Sequence, residues 1–223
     1  MTAPHIVRIL KTNFVTHDVK SFTIDKPEDY EFEEGQDTSL AINIPEFNTL
    51  PRPFTPTSTN EDLVLEFVIK TYPEHHGVTK ELHKLQPGDE LILHKPFGSL
   101  KYKGPGIFIA GGTGITPFIS IFRKLKKEKP EMLKESKLIF ANKTYKDIIL
   151  EKELKELLKE NSKFILSEEA HNDYEKTLID KEFLEKQNLD QSKYFYICGP
   201  PMFTNSIVGM LLDLGVNGSK IVR

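Results

Sequence analysis

The stretch Ile107–Pro117 reads Ile-Phe-Ile-Ala-Gly-Gly-Thr-Gly-Ile-Thr-Pro, an apolar run that drops into a glycine-rich turn and then a helix start. Ile107 to Ala110 have the composition of a buried parallel strand. Gly111, Gly112 and Gly114, with Thr113 among them, admit positive φ and let the backbone approach a ligand without a Cβ in the way. Thr116 can cap the helix, and Pro117 loses nothing by lacking an N–H at a first helical position. The free N–H groups there face an anion such as a nucleotide pyrophosphate. Such turns also arise for purely steric reasons, so the reading needs support from elsewhere in the chain.

Three other stretches bear on it. In Pro51-Arg-Pro-Phe-Thr-Pro-Thr-Ser58, Arg52 can clamp a pyrophosphate bidentately. Phe54, two residues on, can stack on a flat ring, and Thr55 can offer a hydroxyl to a ring heteroatom. Pro53 and Pro56 limit this strand to an edge or an interrupted position, and the plainer alternative is a proline-rich turn with Arg52 in water. In His76-Gly-Val-Thr-Lys-Glu-Leu82, Gly77, Val78 and Thr79 open a helix whose start can accept an anion or is simply capped. In Tyr196-Ile-Cys-Gly-Pro-Pro-Met202, a late strand ends in Cys198 and Gly199 before Pro200 and Pro201 open a helix. That is the carboxyl edge of a parallel sheet, where doubly wound folds bind ligands. Cys198 borders reacting atoms there or is a small buried hydrophobe; nothing near it activates a nucleophile.

The elements that must position these groups fall into two textures. From His5 to His94, short β-branched and aromatic runs predict strands at 5–16, 19–24, 38–43, 54–58, 63–70 and 90–94, with one helix at 79–85. Many short strands with turn punctuation indicate an antiparallel barrel or sandwich. After Pro105, strands at 107–110, 137–140, 163–166 and 193–198 alternate with helices at 117–129, 149–160, 176–187 and 202–214. That alternation predicts a parallel sheet covered on both faces. The expectation is a two-domain chain: an antiparallel β-barrel at 1–100, then a doubly wound α/β domain at 101–223.

A formal net charge of −3 argues against a nucleic-acid surface. No apolar run approaches the roughly 18 residues of a membrane span, and the start at Met1 lacks a signal-peptide layout. A single cysteine excludes an internal disulfide and an all-cysteine cluster and points to a cytoplasmic chain. His75, His76, His83 and His94 match no common ligand spacing, so no metal is expected. The basic cluster Lys124, Lys126, Lys127 and Lys129 reads as a solvated helix face or, less simply, a docking patch for an acidic redox partner.

In order and spacing over essentially the full length, RPFTPTS, GGTGITP and CGPPM resemble the motifs of the ferredoxin–NADP reductase superfamily, and most closely its NADH–cytochrome b5 reductase branch. The resemblance implies that FAD lies across the barrel. Arg52 and Pro53 would sit at its pyrophosphate, Phe54 on its ring and Thr55 near flavin N5. Val68, Lys70 and Tyr72 fall on a strand against the FAD, and Gly77, Val78 and Thr79 at its phosphates. NADH enters over Gly111, Gly112, Thr113, Gly114 and Thr116. Cys198, Gly199, Pro200 and Met202 line the nicotinamide side, and hydride passes from nicotinamide C4 to flavin N5. Thr55 and Cys198 are therefore the residues expected beside the reacting atoms. Two departures stand out: Phe54 replaces the usual tyrosine, and Ile221-Val-Arg223 carries no aromatic where many relatives shield the flavin.

After the second α/β strand, the Asn-x-Thr-x-x-Asp-Ile-x-Leu pattern from Asn142 to Leu150 resembles NADH-preferring relatives, and its Asp147 supplies a carboxylate, which suits a free ribose and repels a 2′-phosphate. NADH is therefore expected over NADPH, with Lys143 and Lys146 softening the preference. Electrons then pass to a separate acceptor, a flavodoxin, ferredoxin, cytochrome or small molecule, with the chain acting as a monomer. The alternatives are a non-catalytic nucleotide- or flavin-binding regulatory subunit and a reductase of free flavin or ferric chelates.

Overall fold

The computed structural model describes residues 4–74, 76–98 and 100–223. His75, one of the four histidines weighed above, lies outside the described residues.

Strands β1 (His5–Phe14), β2 (Val19–Asp25), β3 (Asp37–Ile42), β4 (Arg52–Phe54), β5 (Val64–Lys70) and β6 (Glu90–Phe97) form one antiparallel sheet in the order β4-β3-β6-β1-β2-β5. β4 is an edge, one of the positions open to its Pro53, and is three residues long. The chain beyond it crosses to the opposite edge: Pro56 bridges Phe67 of β5, and Thr57 N–H donates to the Glu66 carbonyl at 2.7 Å. That crossing closes the sheet into a barrel and ends the strand expected over 54–58. The inward residues, among them Phe22, Leu40, Leu65, Phe67 and Leu91, are almost wholly buried, and helix α1 (Val78–Lys84) plugs one end with Val78 and Leu82.

The second half holds a parallel sheet ordered β10-β9-β8-β7-β11-β12. Its strands are β7 (Gly106–Gly111), β8 (Lys137–Asn142), β9 (Ser162–Leu166), β10 (Glu175–Lys176), β11 (Tyr194–Cys198) and β12 (Ile221–Val222). Period-2 alternation sorts its two cores. Phe108, Ala110, Leu138, Phe140, Phe164 and Tyr196 pack against α2 (Thr116–Glu128), α3 (Pro130–Lys134) and α4 (Glu151–Leu158). Ile107, Ile109, Ile139, Ile165, Phe195 and Ile197 face α5 (Lys181–Lys186) and α6 (Pro201–Asp213) on the other side.

Two helices differ from expectation. The segment predicted helical over 176–187 begins as strand β10 and turns helical only at Lys181, where the Asp180 side chain accepts from Phe183 N–H at 2.7 Å. The segment predicted over 149–160 starts at Glu151, because Leu150 adopts φ 49° and breaks the run. Strands β10 and β12 and helix α3 are too short to print a period.

The two halves share a seam. Val19, Val68 and Leu100 join the core of the α/β half, and polar ties from α2 close one side. Arg123 donates to Glu66 and the Thr57 carbonyl in the barrel (2.6 and 2.9 Å) and, bidentately, to Glu153 of α4 (2.6 and 2.8 Å). Burial opposes its charge, but the hydrogen bonds and charges of Glu153 and Glu66 outweigh that and hold it protonated. Lys124 meets Glu34 at 2.8 Å, and Lys127 meets Asp62 at 2.7 Å. The basic cluster is thus neither wholly solvated nor a free docking patch: two of its lysines staple the halves together, while Lys126 and Lys129 are exposed.

Candidate cofactor and nucleotide site

Two cavities open at the carboxyl end of the parallel sheet, separated by the tips of β7 and β11. The first, about 370 Å³, lies between the barrel and β11 and is walled by Asp37, Thr55, Pro117, Cys198, Gly199 and Arg223. The second, about 480 Å³, runs over the glycine turn toward β8 and β9 and is walled by Gly111, Gly112, Thr113, Asn142, Asp147 and Pro200. Lys70, Tyr72 and Asp18 reach into it from the barrel. Gly199 and Pro200, neighbours in sequence, therefore face different cavities.

The three glycines of the turn do different work. Only Gly112 has positive φ (54°), and a Cβ there would meet no protein atom within 4 Å, so its backbone is open to a ligand. At Gly114 an added Cβ would lie 2.2 Å from the Cys198 carbonyl oxygen, so this glycine lets the turn press against the end of β11. Gly111 makes room for the Phe203 ring, 3.1 Å from the site of its missing Cβ. The expected cap by Thr116 is not made. Thr116 is already helical, and its hydroxyl donates to the Thr113 carbonyl at 3.0 Å. In the barrel, Gly77 has φ 133° and open space at its Cβ position, leaving the start of α1 accessible; Thr79 makes no side-chain cap.

The other expected residues are distributed as follows. Arg52 and Pro53 are exposed on β4, with an Arg52 Nη1 donating to the Pro51 carbonyl at 3.1 Å, and Phe54 is half-buried against the barrel core. Thr55 is buried and donates to Asp37 Oδ1 at 2.5 Å. Val68 and Val78 are buried in the cores and can offer a ligand only backbone. Lys70 pairs with Asp18 at 2.6 Å, and its ammonium lies 5.9 Å from the centre of the Tyr72 ring. Asp147 accepts from the backbone N–H and hydroxyl of Thr144 (2.8 and 2.7 Å), closing a reciprocal capping box on the turn 145–147. It does not cap α4. Cys198 borders the first cavity, and burial, reinforced by the charge of Asp37, pushes its thiol up to about 11. At neutral pH it is a thiol and not a nucleophile. Met202 is 87% exposed and walls neither cavity. The next residue, Phe203, turns inward against Gly111 and Gly199 in its place.

Several wall residues carry no local sequence signal: Asp18 and Asp37 from the barrel, and Phe203 and Arg223 from the α/β half; Asn142 opens the pattern that ends at Leu150. Asn142 is the most telling. Its amide is buried beneath the larger cavity, and neither its nitrogen nor its oxygen finds a hydrogen-bond partner among the described residues. Unpaired buried amides are costly, and they occur where a ligand completes them. An open φ-positive glycine at each of two helix starts, a buried threonine–carboxylate pair and this amide fit a flavin dinucleotide and a pyridine dinucleotide. Arg52, Thr55 and Gly77 would hold the first, and Gly112, Thr113 and Asn142 the second. His17, Asp18 and Asp147 also bring one nitrogen and two carboxylate oxygens within 4.8 Å of one another, and all three belong to the seam beside the larger cavity.

Comparison with known proteins agrees with this division. Residues 7–102 match the model of the oxidoreductase FAD-binding domain, and residues 108–208 that of the oxidoreductase NAD-binding domain. The chain is 32% identical to NADH–cytochrome b5 reductase 2 of Candida glabrata, over 93% of this chain and 79% of the relative. It is 30% identical to NADH–cytochrome b5 reductase 2-A of Vanderwaltozyma polyspora, over 94% and 80%. The fold superposes on a ferredoxin–NADP+ reductase from Neisseria gonorrhoeae solved with FAD and NADP (TM-score 0.86, 21% identity, 100% and 98% covered). It also superposes on the CS-b5R domains of human Ncb5or in the NAD+ form (TM-score 0.84, 28% identity, 99% and 69% covered). With an FAD-binding barrel, an NAD-binding α/β domain and relatives of this similarity, the chain has the fold of the ferredoxin–NADP reductases and is a flavin-dependent oxidoreductase that belongs to the NADH–cytochrome b5 reductase family.

Proposed function

We propose that this protein takes hydride from NADH onto bound FAD and passes the electrons singly to a separate heme protein of the cytochrome b5 type. Bound FAD supplies the two-electron to one-electron chemistry, and the chain supplies position and surroundings. The observation that carries the reading is the pair of cavities walled by the adjacent residues Gly199 and Pro200, with Thr55 in the wall of one and the glycine turn in the wall of the other. In this arrangement Arg52 and Gly77 bind the FAD phosphates, and Phe54 supports the ring. Thr55 presents its hydroxyl oxygen at the ring edge, and Cys198 with Gly199 excludes water from the nicotinamide side. Orientation of this kind is worth about several kcal/mol of barrier.

The preference for NADH rests on the carboxylates beside the larger cavity. Asp147 in its wall repels a 2′-phosphate, and the Lys143 ammonium that would attract one is engaged by Glu168 at 2.9 Å. The named relatives favour a cytochrome acceptor. The ferredoxin–NADP+ reductase whose fold the chain shares is 21% identical, which speaks for the fold and not for a ferredoxin or flavodoxin partner.

The test is steady-state turnover with NADH and purified cytochrome b5, flavodoxin, ferredoxin and ferric citrate in parallel, after gel filtration to remove free flavin. Fast cytochrome b5 reduction by protein that keeps its FAD supports the reading. Turnover that requires added flavin would instead mark a free-flavin or ferric reductase.

A further inference from the structure

The larger cavity holds a lysine whose charge is already spent. Lys70 Nζ lies 2.6 Å from Asp18 Oδ2, and both side chains wall the cavity above Gly111–Thr113. Lys143, the other ammonium in that wall, is engaged by Glu168 at 2.9 Å. Asp18 is fixed from behind: Thr16 Oγ1 donates to its Oδ1 at 3.2 Å, and its carbonyl accepts from Thr71 N–H and Oγ1 at 2.8 and 3.0 Å. Lys70 sits on a flexible four-carbon stem with its head partly in water, so it is the partner free to swing. His17, in the same turn as Asp18, reaches across the seam to the 144–147 loop, with Nε2 3.6 Å from Asp18 and 3.9 Å from Asp147.

We propose that Asp18 is a competing counter-ion in the dinucleotide site, holding the Lys70 ammonium between turnovers and yielding it to the nucleotide phosphates on binding. The proposal rests on the reading that this cavity takes the pyridine dinucleotide. A pyrophosphate drawn to Lys70 must displace a carboxylate or share the ammonium with it. When the oxidised nucleotide leaves, the carboxylate reclaims its partner. The device trades affinity for faster release, which matters wherever product exit limits turnover. The opposite role, a brace that aims Lys70 at the phosphates, fits the geometry less well. The carboxylate grips the ammonium itself, while the backbone of Lys70 is already fixed by the pairing of β5 with β2 and the ammonium also lies 5.9 Å from the centre of the Tyr72 ring.

The two roles predict opposite signs for one substitution. ADP-ribose carries the pyrophosphate and adenosine without the reacting ring, so it is titrated calorimetrically into the FAD-loaded protein and its Asp18→Asn, Lys70→Gln and doubly substituted variants. Asp18→Asn should bind about fivefold tighter, the size of one partly exposed charge pair. Lys70→Gln should bind more weakly, and the double variant should match Lys70→Gln, because Asp18 acts only through that lysine. Weaker or unchanged binding by Asp18→Asn overturns the proposal. Should Asp18→Asn lose its flavin spectrum, Asp18→Ser, which keeps a small polar group beside Thr16, carries the same expectation. A wild-type protein that retains FAD yet binds no ADP-ribose would instead remove the dinucleotide reading on which the proposal stands.

Discussion

The Thr55 hydroxyl donates its proton to Asp37 Oδ1 at 2.5 Å, joining the end of the edge strand β4 to the start of β3 inside the smaller cavity. With the proton committed to the carboxylate, the Thr55 oxygen turns its lone pairs toward the cavity and acts there as an acceptor. Asp37 also places a negative charge beside the site where electron density arrives. Asp37→Asn should raise the FAD midpoint potential by about 30 mV or more, the two-electron equivalent of about 1.4 kcal/mol. Thr55→Val should shift it too, and the two changes should not add, because they share one hydrogen bond. Anaerobic dye-coupled reduction reads both, and an unchanged potential in Asp37→Asn would remove the charge from the account.

Arg123 holds the halves of the molecule at the relative position that brings Thr55 and Gly199 to one cavity. It donates at 2.6 Å to Glu66 in the barrel and at 2.6 and 2.8 Å to Glu153 in α4. Arg123→Met leaves two partly buried carboxylates without their cation and should cost about 2 kcal/mol of stability. Urea unfolding followed by far-UV dichroism measures the loss, and Arg123→Lys should recover only part of it, since a point charge cannot make the bidentate contact.

Gly114 tests the close approach of the turn to β11. A Cβ there would sit 2.4 Å from the Cys198 carbonyl carbon and 2.5 Å from Gly199 N, contacts that only backbone movement relieves. Gly114→Ala should therefore raise KM for NADH at least about tenfold and lower kcat, because it shifts both cavity walls at once. Gly112→Ala meets no protein atom, so its cost should fall on the φ-positive turn and on nucleotide binding, with the flavin spectrum unaltered.

The Cys198 thiol gives a pH test. Burial first, then the charge of Asp37, pushes it up to about 11. Absorbance at 240 nm should show thiolate forming with a midpoint near that value, and iodoacetamide should label the native protein slowly at pH 8. The folded state holds this proton longer than the unfolded chain does. The group's contribution to stability is thus intact below its ordinary value of 9.0 and falls as pH rises from there through about 11. Rapid alkylation of folded protein at pH 7 would contradict the burial.

The parts of this design that could be read from the chain are those written in short range. The Gly111–Gly114 turn, the alternation of Phe108 with Ile109 and the proline-marked edge at Arg52–Phe54 each carry a local period or a conformational demand. The remainder depends on partners distant in sequence. Arg123 meets Glu66 57 residues away, and Lys124 meets Glu34 at a separation of 90, so a helix face that looks solvated is an internal fastening. Asp37 is an ordinary polar residue until the fold sets it against Thr55, and only the fold puts the Asn142 amide under the larger cavity. Thr177, Leu178 and Ile179 have helix-compatible spacing, yet they run beside β9 to wall that cavity. Met202 and Phe203 differ by one step of a helix, and that step turns Phe203 toward the glycines and Met202 into water.

The central claim, a bound flavin reduced by a pyridine dinucleotide where Gly199 and Pro200 wall neighbouring cavities, is tested most directly by the visible spectrum of purified protein under anaerobic addition of NADH and, separately, NADPH. The account predicts a yellow protein that keeps its FAD through gel filtration and is bleached much faster by NADH. Faster bleaching by NADPH would contradict the role given to the carboxylates at Asp147 and Glu168. A colourless protein that neither takes up FAD nor oxidises NADH in its presence would contradict the account as a whole.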